Sequence, residues 1–341
     1  MTIRDALARA APPLRRVGRA LPPRRVLLLA MLAFFGASCV RPLPLGLQPP
    51  GPAAYGVAEE ELALPASVPG SHMEGYLLRP EVPDGTRIPC AVLLHGKGGY
   101  WRAYTRYGRE LAARGIAALV LNYYSVHQVD LEGWKTPFTE RKESFEAQNE
   151  DIVRATARFA QGPLCAGGKV AVVGFSLGAD KAIRAAAALP EVAAVAAYYG
   201  PYDYVSFIHV RVNAIVLALA SEDLLRWKKY LEEASPIRLV PKIRAPVFLL
   251  HGVEDAVIPV EQSLQMTEAL RRRGGKFRIH FYEGAGHNFV LRRGPSEVRD
   301  DSVRRVIAFL QEHLPAEGRA PAAEARKEGG APSSPPPGAG G

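Results

Sequence analysis

A chain of 341 residues with 48% apolar and 23% charged residues has the make-up of a globular protein, long enough for one large domain or two small ones. The formal net charge is +9, but residues 1–38 hold seven arginines against Asp5, carry +6 of it and leave +3 for everything that follows. That balance excludes a strongly basic body, and with it an electrostatic case for nucleic-acid binding.

Taken in chain order, the first element is a targeting segment. An Arg-rich stretch ends at Arg24-Arg25, the run 26–35 is apolar but short for a bilayer, and Gly36-Ala37-Ser38 are small. Residues 1–38 are therefore expected to be a secretory signal. Because Cys39 follows at once, the segment resembles a bacterial lipoprotein signal, which implies lipidation of Cys39, export, and a periplasmic or cell-surface place on a membrane. Gly36 stands where such signals usually carry a larger apolar residue, and a plain cleaved signal or an uncleaved anchor are the alternatives. Residues 39–54, rich in Pro and Gly, read as a tether.

Residues 55–314 then alternate strands and helices. Strands are expected at 55–64 and 74–78, and at the continuous apolar run 89–94, which leads into His95-Gly96-Lys97-Gly98-Gly99. A short helix over 107–113 ends at Gly115. A buried strand follows at 116–121, and helical spacing returns over 142–159. Strands 170–173, 192–198, 246–250 and 277–281, with helices over 179–189, 263–272 and 303–314, complete the pattern. Apolar strands alternating with helices predict a mostly parallel eight-stranded sheet covered by helices on both faces, an α/β architecture. Ligands in such sheets bind beyond the carboxyl ends of the strands. From Pro315 onward the chain is Ala, Gly, Pro, Ser and mixed charge, so 315–341 is expected to be a disordered tail.

The chemistry is concentrated at those strand ends. Gly174-Phe175-Ser176-Leu177-Gly178 joins the strand at 170–173 to the helix at 179–189 through a tight turn with Ser176 at its apex. Glycines two residues either side allow strand and helix to pack closely around it. A serine hydroxyl is a weak nucleophile and needs a base, usually His, held by a carboxylate. His287, in Gly284-Ala285-Gly286-His287-Asn288-Phe289, is the expected base. Asp255, in the turn after the strand at 246–250, is the expected acid, with Asp203 as its rival and Glu254 as the neighbour most easily mistaken for it. The order Ser, acid, His is that of α/β hydrolases. The oxyanion donors are expected to be the backbone N–H groups of Leu177 and Lys97. Tyr100 and Trp101 either wall the substrate pocket or serve packing. The segment 203–239 is the expected source of specificity, its apolar part 208–220 being a core helix, a cover over the site or a membrane-facing surface. If Cys39 is lipidated, Cys90 and Cys165 remain as an even pair, each just before a predicted strand. A disulfide and two buried thiols are both consistent with that placement.

On these motifs, residues 55–314 resemble the α/β-hydrolase superfamily, and most closely its dienelactone hydrolase branch. The elbow 174–178, Ala197-Tyr198-Tyr199-Gly200, Asp255 in its turn and the Ala-Gly-His-x-Phe pattern at 285–289 carry the likeness. Ala234-Ser235-Pro236-Ile237 and Ala245-Pro246-Val247-Phe248-Leu249-Leu250-His251-Gly252 also resemble the catalytic domain of prolyl oligopeptidase-like enzymes, although no propeller accompanies them. The dienelactone enzymes carry a cysteine where this chain has Ser176. The resemblance therefore implies a carboxylic-ester hydrolase working on a small-molecule ester through an acyl-enzyme, with no metal or cofactor. Lactone or thioester hydrolysis and acyl transfer are the alternatives on the same residues. A non-catalytic tethered binding protein is the reading from another class.

Overall fold

The computed structural model describes residues 53–100, 102–127, 136–211, 221–292 and 296–315. The expectations for the signal, for Cys39, for Trp101 and for the tail from 316 fall outside them.

The strands are β1 (Val57–Pro65), β2 (His72–Pro80), β3 (Cys90–Leu94), β4 (Ala117–Asn122), β5 (Val170–Phe175), β6 (Val192–Tyr198), β7 (Val247–Gly252) and β8 (Phe277–Tyr282). They form one eight-stranded sheet in the order β1-β2-β4-β3-β5-β6-β7-β8. β2 runs antiparallel to both its neighbours, and every pairing from β4 to β8 is parallel. This is the α/β-hydrolase fold. The inner strands are continuous apolar runs because helices cover both of their faces. In β3, Val92 and Leu94 enter one core while Ala91 and Leu93 enter the other.

The helices divide between those two faces. α1 (Arg102–Ala112) and α7 (Glu297–His313) pack on one through Tyr104, Tyr107, Leu111, Val306, Ile307 and Leu310. α2 (Phe138–Gln161), α3 (Leu177–Ala188) and α6 (Glu261–Arg272) pack on the other through Ile152, Ala182, Ile183, Met266 and Leu270. Both α1 and α7 begin about one turn or more before the expected positions. In α1 the added turn is carried by buried Tyr104, an amphipathic residue that does not stand out as an apolar signal. In α7 it is set by Ser296, whose hydroxyl accepts from Arg299 N–H as an N-cap.

Within 203–239 the structure forms α4 (Tyr204–Arg211) and α5 (Glu222–Glu233), followed by a 3₁₀ turn at Pro236–Lys242. α5 is mostly charged, and two of its residues are buried, with Tyr230 packed beside them and donating its hydroxyl to Glu146 of α2. Trp227 and Leu231 lie one turn apart and pack with Phe145 of α2 and Tyr204 of α4 in a small separate core. Residues 212–220, most of the apolar part of this segment, are outside the described residues.

Of the two readings for the cysteines, the disulfide is the one formed: Cys90 at the start of β3 is bonded to Cys165 ahead of β5, both fully buried. Closing 75 residues of separation in this way stabilises the folded state by about 4 kcal/mol in the chain-entropy model. It staples together the two adjacent strands whose far ends carry the glycine loop and Ser176.

Candidate active site

The turn at Ser176 is tight because its glycines leave no room for anything else. A Cβ on Gly178 would lie 2.0 Å from Leu94 O and 2.5 Å from His95 O, and one on Gly174 would lie 2.2 Å from Gly178 O. Helix α3 therefore starts hard against the end of β3. Ser176 takes φ 54° and ψ −119°, a left-handed conformation that a non-glycine residue adopts only when its surroundings impose it. Its N–H donates to Tyr198 O on β6, and its carbonyl accepts from Ala179 N–H. The side chain stands at the positive end of α3. Leu177 is the first residue of that helix, so its N–H has no acceptor within the helix.

The acid and the histidine are brought together by backbone pairing beyond β7 and β8. Val253 N–H donates to Tyr282 O and Glu254 N–H to Ala285 O, so the two loops run side by side over the sheet edge. His287 Nδ1 then lies 2.7 Å from Asp255 Oδ2, and His287 Nε2 lies 3.0 Å from Ser176 Oγ. A carboxylate only accepts, so Nδ1 carries the proton of the neutral imidazole and Nε2 keeps its lone pair for the serine hydroxyl. The other carboxylate oxygen, Oδ1, accepts from Val257 and Ile258 N–H, both at 2.8 Å. Burial works against the charge on Asp255. Hydrogen bonds from His251 and His287, the charge His287 takes up and the Ile258 N–H together hold its carboxyl well below the usual carboxylate range.

The structure thus brings Ser176, Asp255 and His287 into one hydrogen-bonded line. Neither alternative acid joins them. Asp203 accepts from Val205 and Ser206 N–H and caps α4, while Glu254 points to solvent. Lys97 follows Gly96, whose own Cβ position lies 3.3 Å from Ser176 Cβ, so the glycine loop borders the serine. The Lys97 side chain is exposed. Tyr100 stacks flat on Tyr76 of β2, with ring centroids 4.4 Å apart, which is a packing contact on the sheet.

Three tyrosines at the site are not among the expected site residues, although Tyr199 lies in the strand-end motif 197–200. Gly96 N–H donates to Tyr104 Oη at 2.9 Å, and burial pushes the Tyr104 phenol up to about 12, so it stays neutral. Tyr123 donates its hydroxyl to His95 O and stacks on the His95 ring at 3.8 Å. Burial pushes His95 down to about 4, which keeps that ring uncharged at neutral pH. Tyr199, with φ 40° and fully buried, sets its ring against His287 at 4.7 Å. Their roles depend on three separate elements meeting, and only the preference of aromatics for buried half-polar settings hints at them.

Comparison with known proteins supplies the family and the fold likeness. The model of the dienelactone hydrolase family matches residues 73–314. The human acylamino-acid-releasing enzyme is 25% identical over 258 residues, covering 72% of this chain and 34% of its own length. Esterase LipC of Mycobacterium tuberculosis is 28% identical over 232 residues, covering 61% of this chain and 56% of its own. The chain thus spans only about a third to a half of these curated relatives. Among solved structures, the hyperthermophilic esterase of the archaeon Pyrobaculum calidifontis superposes with a TM-score of 0.57 at 21% identity, over 76% of this chain and 87% of that one, a likeness of fold.

Proposed function

The chain belongs to the dienelactone hydrolase family, and from that premise we propose that it is a serine hydrolase that cleaves carboxylic esters through an acyl-enzyme. The observation that carries the reading is the unbroken line Ser176 Oγ, His287, Asp255 Oδ2, with contacts of 3.0 and 2.7 Å, set on a strained turn at a helix N-terminus. Ser176 attacks the ester carbonyl while His287 Nε2 takes its proton. Asp255 holds the imidazolium in place, and His287 returns the proton to the leaving alcohol. Water, deprotonated by His287, then releases the acid and restores the serine. Leu177 N–H and Lys97 N–H are the proposed oxyanion donors, each such donor contributing on the order of 10²–10³ in rate.

The test is labelling of the full chain by a fluorophosphonate, compared with Ser176→Ala, followed by turnover of p-nitrophenyl esters. Labelling and hydrolysis that both vanish in the variant support the reading. A folded parent that does neither sinks it and promotes the binding-protein alternative. A second reading, cleavage of N-acylated amino-acid amides, is favoured by the match to the human acylamino-acid-releasing enzyme. Turnover of an N-acetyl amino-acid anilide faster than that of the ester would select it.

The same proposal places the domain outside the cytoplasm, tethered by a lipid on Cys39. The buried Cys90–Cys165 disulfide supports an oxidising compartment. Cys39→Ser should move the protein from the membrane to the soluble fraction; an unchanged membrane fraction would argue for an uncleaved anchor instead.

A further inference from the structure

Behind the acid lies a second histidine that the proposed mechanism does not use. His251 sits in β7, an otherwise apolar strand, and is fully buried. Its Nε2 lies 3.0 Å from Ile258 O and 3.5 Å from Asp255 Oδ2, the oxygen that takes the His287 proton donor. Its Nδ1 lies 2.7 Å from Ser263 Oγ at the start of α6. A carbonyl only accepts, so Nε2 must carry a proton, and in the neutral ring Nδ1 accepts the Ser263 hydroxyl. Ser263 is itself fixed, donating its N–H to Val260 O and accepting from the Thr267 hydroxyl at its carbonyl. The ring therefore stands in one orientation with its N–H aimed into the turn 255–258.

We propose that His251 is a positioning residue for Asp255: its Nε2–H, shared between Ile258 O and Asp255 Oδ2, fixes the rotation of the carboxylate and so the plane of the His287 imidazole. Asp255 is gripped on both sides. Two backbone N–H groups hold Oδ1, while Oδ2 meets His287 in front and His251 behind. Without His251, Oδ2 keeps only His287, and rotation about the Cβ–Cγ bond is resisted on the far side by the two N–H groups at Oδ1 alone. The chain from Ser263 through His251 in β7 and Asp255 in the turn after it to His287 also ties the reacting histidine to helix α6, a rigid element. The low carboxyl pKa of Asp255 is in keeping with a donor at this place.

This inference rests on Asp255 serving as the acid of a serine hydrolase. It is tested on the full chain with a p-nitrophenyl ester, rates being expressed per fluorophosphonate-titrated site so that loss of folded protein does not count. His251→Asn, whose amide is too short to reach Asp255, is expected to lower kcat about tenfold to a hundredfold, the cost typical of a small misplacement in an active site, with KM within about twofold. His251→Gln, whose amide N–H reaches near the place of Nε2–H, is expected to restore most of that loss. Ser263→Ala, which frees the ring, should cost less than His251→Asn. A structural role alone would lower the melting temperature of both His251 variants and leave kcat per site intact, and that result overturns the proposal. Equal losses in Asn and Gln also overturn it. A parent that neither labels nor turns over ester refutes the hydrolase reading first, and is recognised before any variant is made.

Discussion

Apart from the Ser263–His251–Asp255 contacts behind the acid, two Ser-His-Asp clusters among the described residues lie in different parts of the fold. Ser176, His287 and Asp255 meet beyond the ends of β5, β8 and β7, while Ser67, His127 and Asp151 meet between the β1–β2 turn, the segment after β4 and helix α2. In the first cluster the imidazole uses both nitrogens, one toward the acid and one toward the serine. In the second a single nitrogen, His127 Nε2, faces both Ser67 Oγ at 3.0 Å and Asp151 Oδ2 at 3.3 Å. Ser67 donates its hydroxyl directly to Asp151 Oδ2 at 3.0 Å, so Nε2–H must be the donor to Ser67. The histidine there donates a hydrogen bond to the serine and has no lone pair placed to take its proton. Ser67 also lacks a helix N-terminus beside it. The same three residue types thus make a candidate catalytic centre in one place and a clasp between three chain segments in the other, and the order of the hydrogen bonds decides which.

The widest separation between the clusters is expected at the serines. Ser176→Ala should abolish fluorophosphonate labelling and lower ester turnover by about 10⁴-fold or more, since the attacking group is gone. Ser67→Ala should leave labelling and kcat unchanged and lower the melting temperature modestly, through the loss of hydrogen bonds to buried Asp151. Labelling that survived Ser176→Ala and vanished in Ser67→Ala would reverse the assignment.

The carboxylates should divide less widely. Asp255→Asn removes the acceptor that sets the His287 tautomer and should cost about 10⁴-fold in kcat. Asp151→Asn should cost roughly 1–3 kcal/mol of stability, as for a buried hydrogen-bonded group left imperfectly paired, with kcat per labelled site unchanged. Acid adds a further distinction. The Asp255 carboxyl titrates lower in the folded chain than in the unfolded one, so the unfolded chain takes up the proton first. Its contribution to stability is present above the ordinary carboxylate pKa and is lost as pH falls below that value. Urea melts at falling pH should therefore show a shallower loss below about pH 4 in Asp255→Asn than in the parent.

What could be read in advance follows the same division. Ser176 and His287 are each announced by their own neighbours, by glycines at fixed spacing after an apolar run, and Asp255 by a strand passing straight into a turn. The parallel sheet is legible because strands buried on both faces have nowhere to put polar side chains. The clasp is different, since 67, 127 and 151 share no local pattern and meet only when the β1–β2 turn folds back beside α2. The same holds for Tyr104 and Tyr123, which read as core aromatics until the loops that they support are in place, while Tyr199 is visible in the 197–200 motif but its contact with His287 is not. His251 is the intermediate case: a histidine in the buried run Val247–Gly252 is a visible anomaly, but its partners at 255, 258 and 263 appear only once the turn closes. For α5, Trp227 and Leu231 one turn apart in a charged segment give too weak an apolar stripe to announce a helix, and the question of cover or core helix put to 208–220 falls mostly outside the described residues.

The smallest effect expected concerns a support that the candidate centre has and the clasp lacks. Tyr104 reaches from α1 to the glycine loop and accepts Gly96 N–H, while the His95 ring stacks on Tyr123 beneath it. If the loop carries an oxyanion donor at Lys97, its backbone must be held before the charge develops, because a donor that has to reorganise stabilises the transition state less. Tyr104→Phe keeps the ring, which packs against Phe175 at 5.3 Å, and removes only the acceptor. The buried Gly96 N–H then lacks its partner, at a cost of roughly 1–3 kcal/mol if the loop stays where it is. A loop that shifts to regain water relieves that cost and loses alignment. The two responses separate in measurement. A rigid loop gives a lower melting temperature with kcat intact, whereas a shifting loop gives a kcat loss of about threefold to tenfold with KM little changed, as expected for partial loss of one oxyanion donor. The second outcome would locate the oxyanion function in the glycine loop by a route open to ordinary mutation, which deletion of a backbone N–H is not.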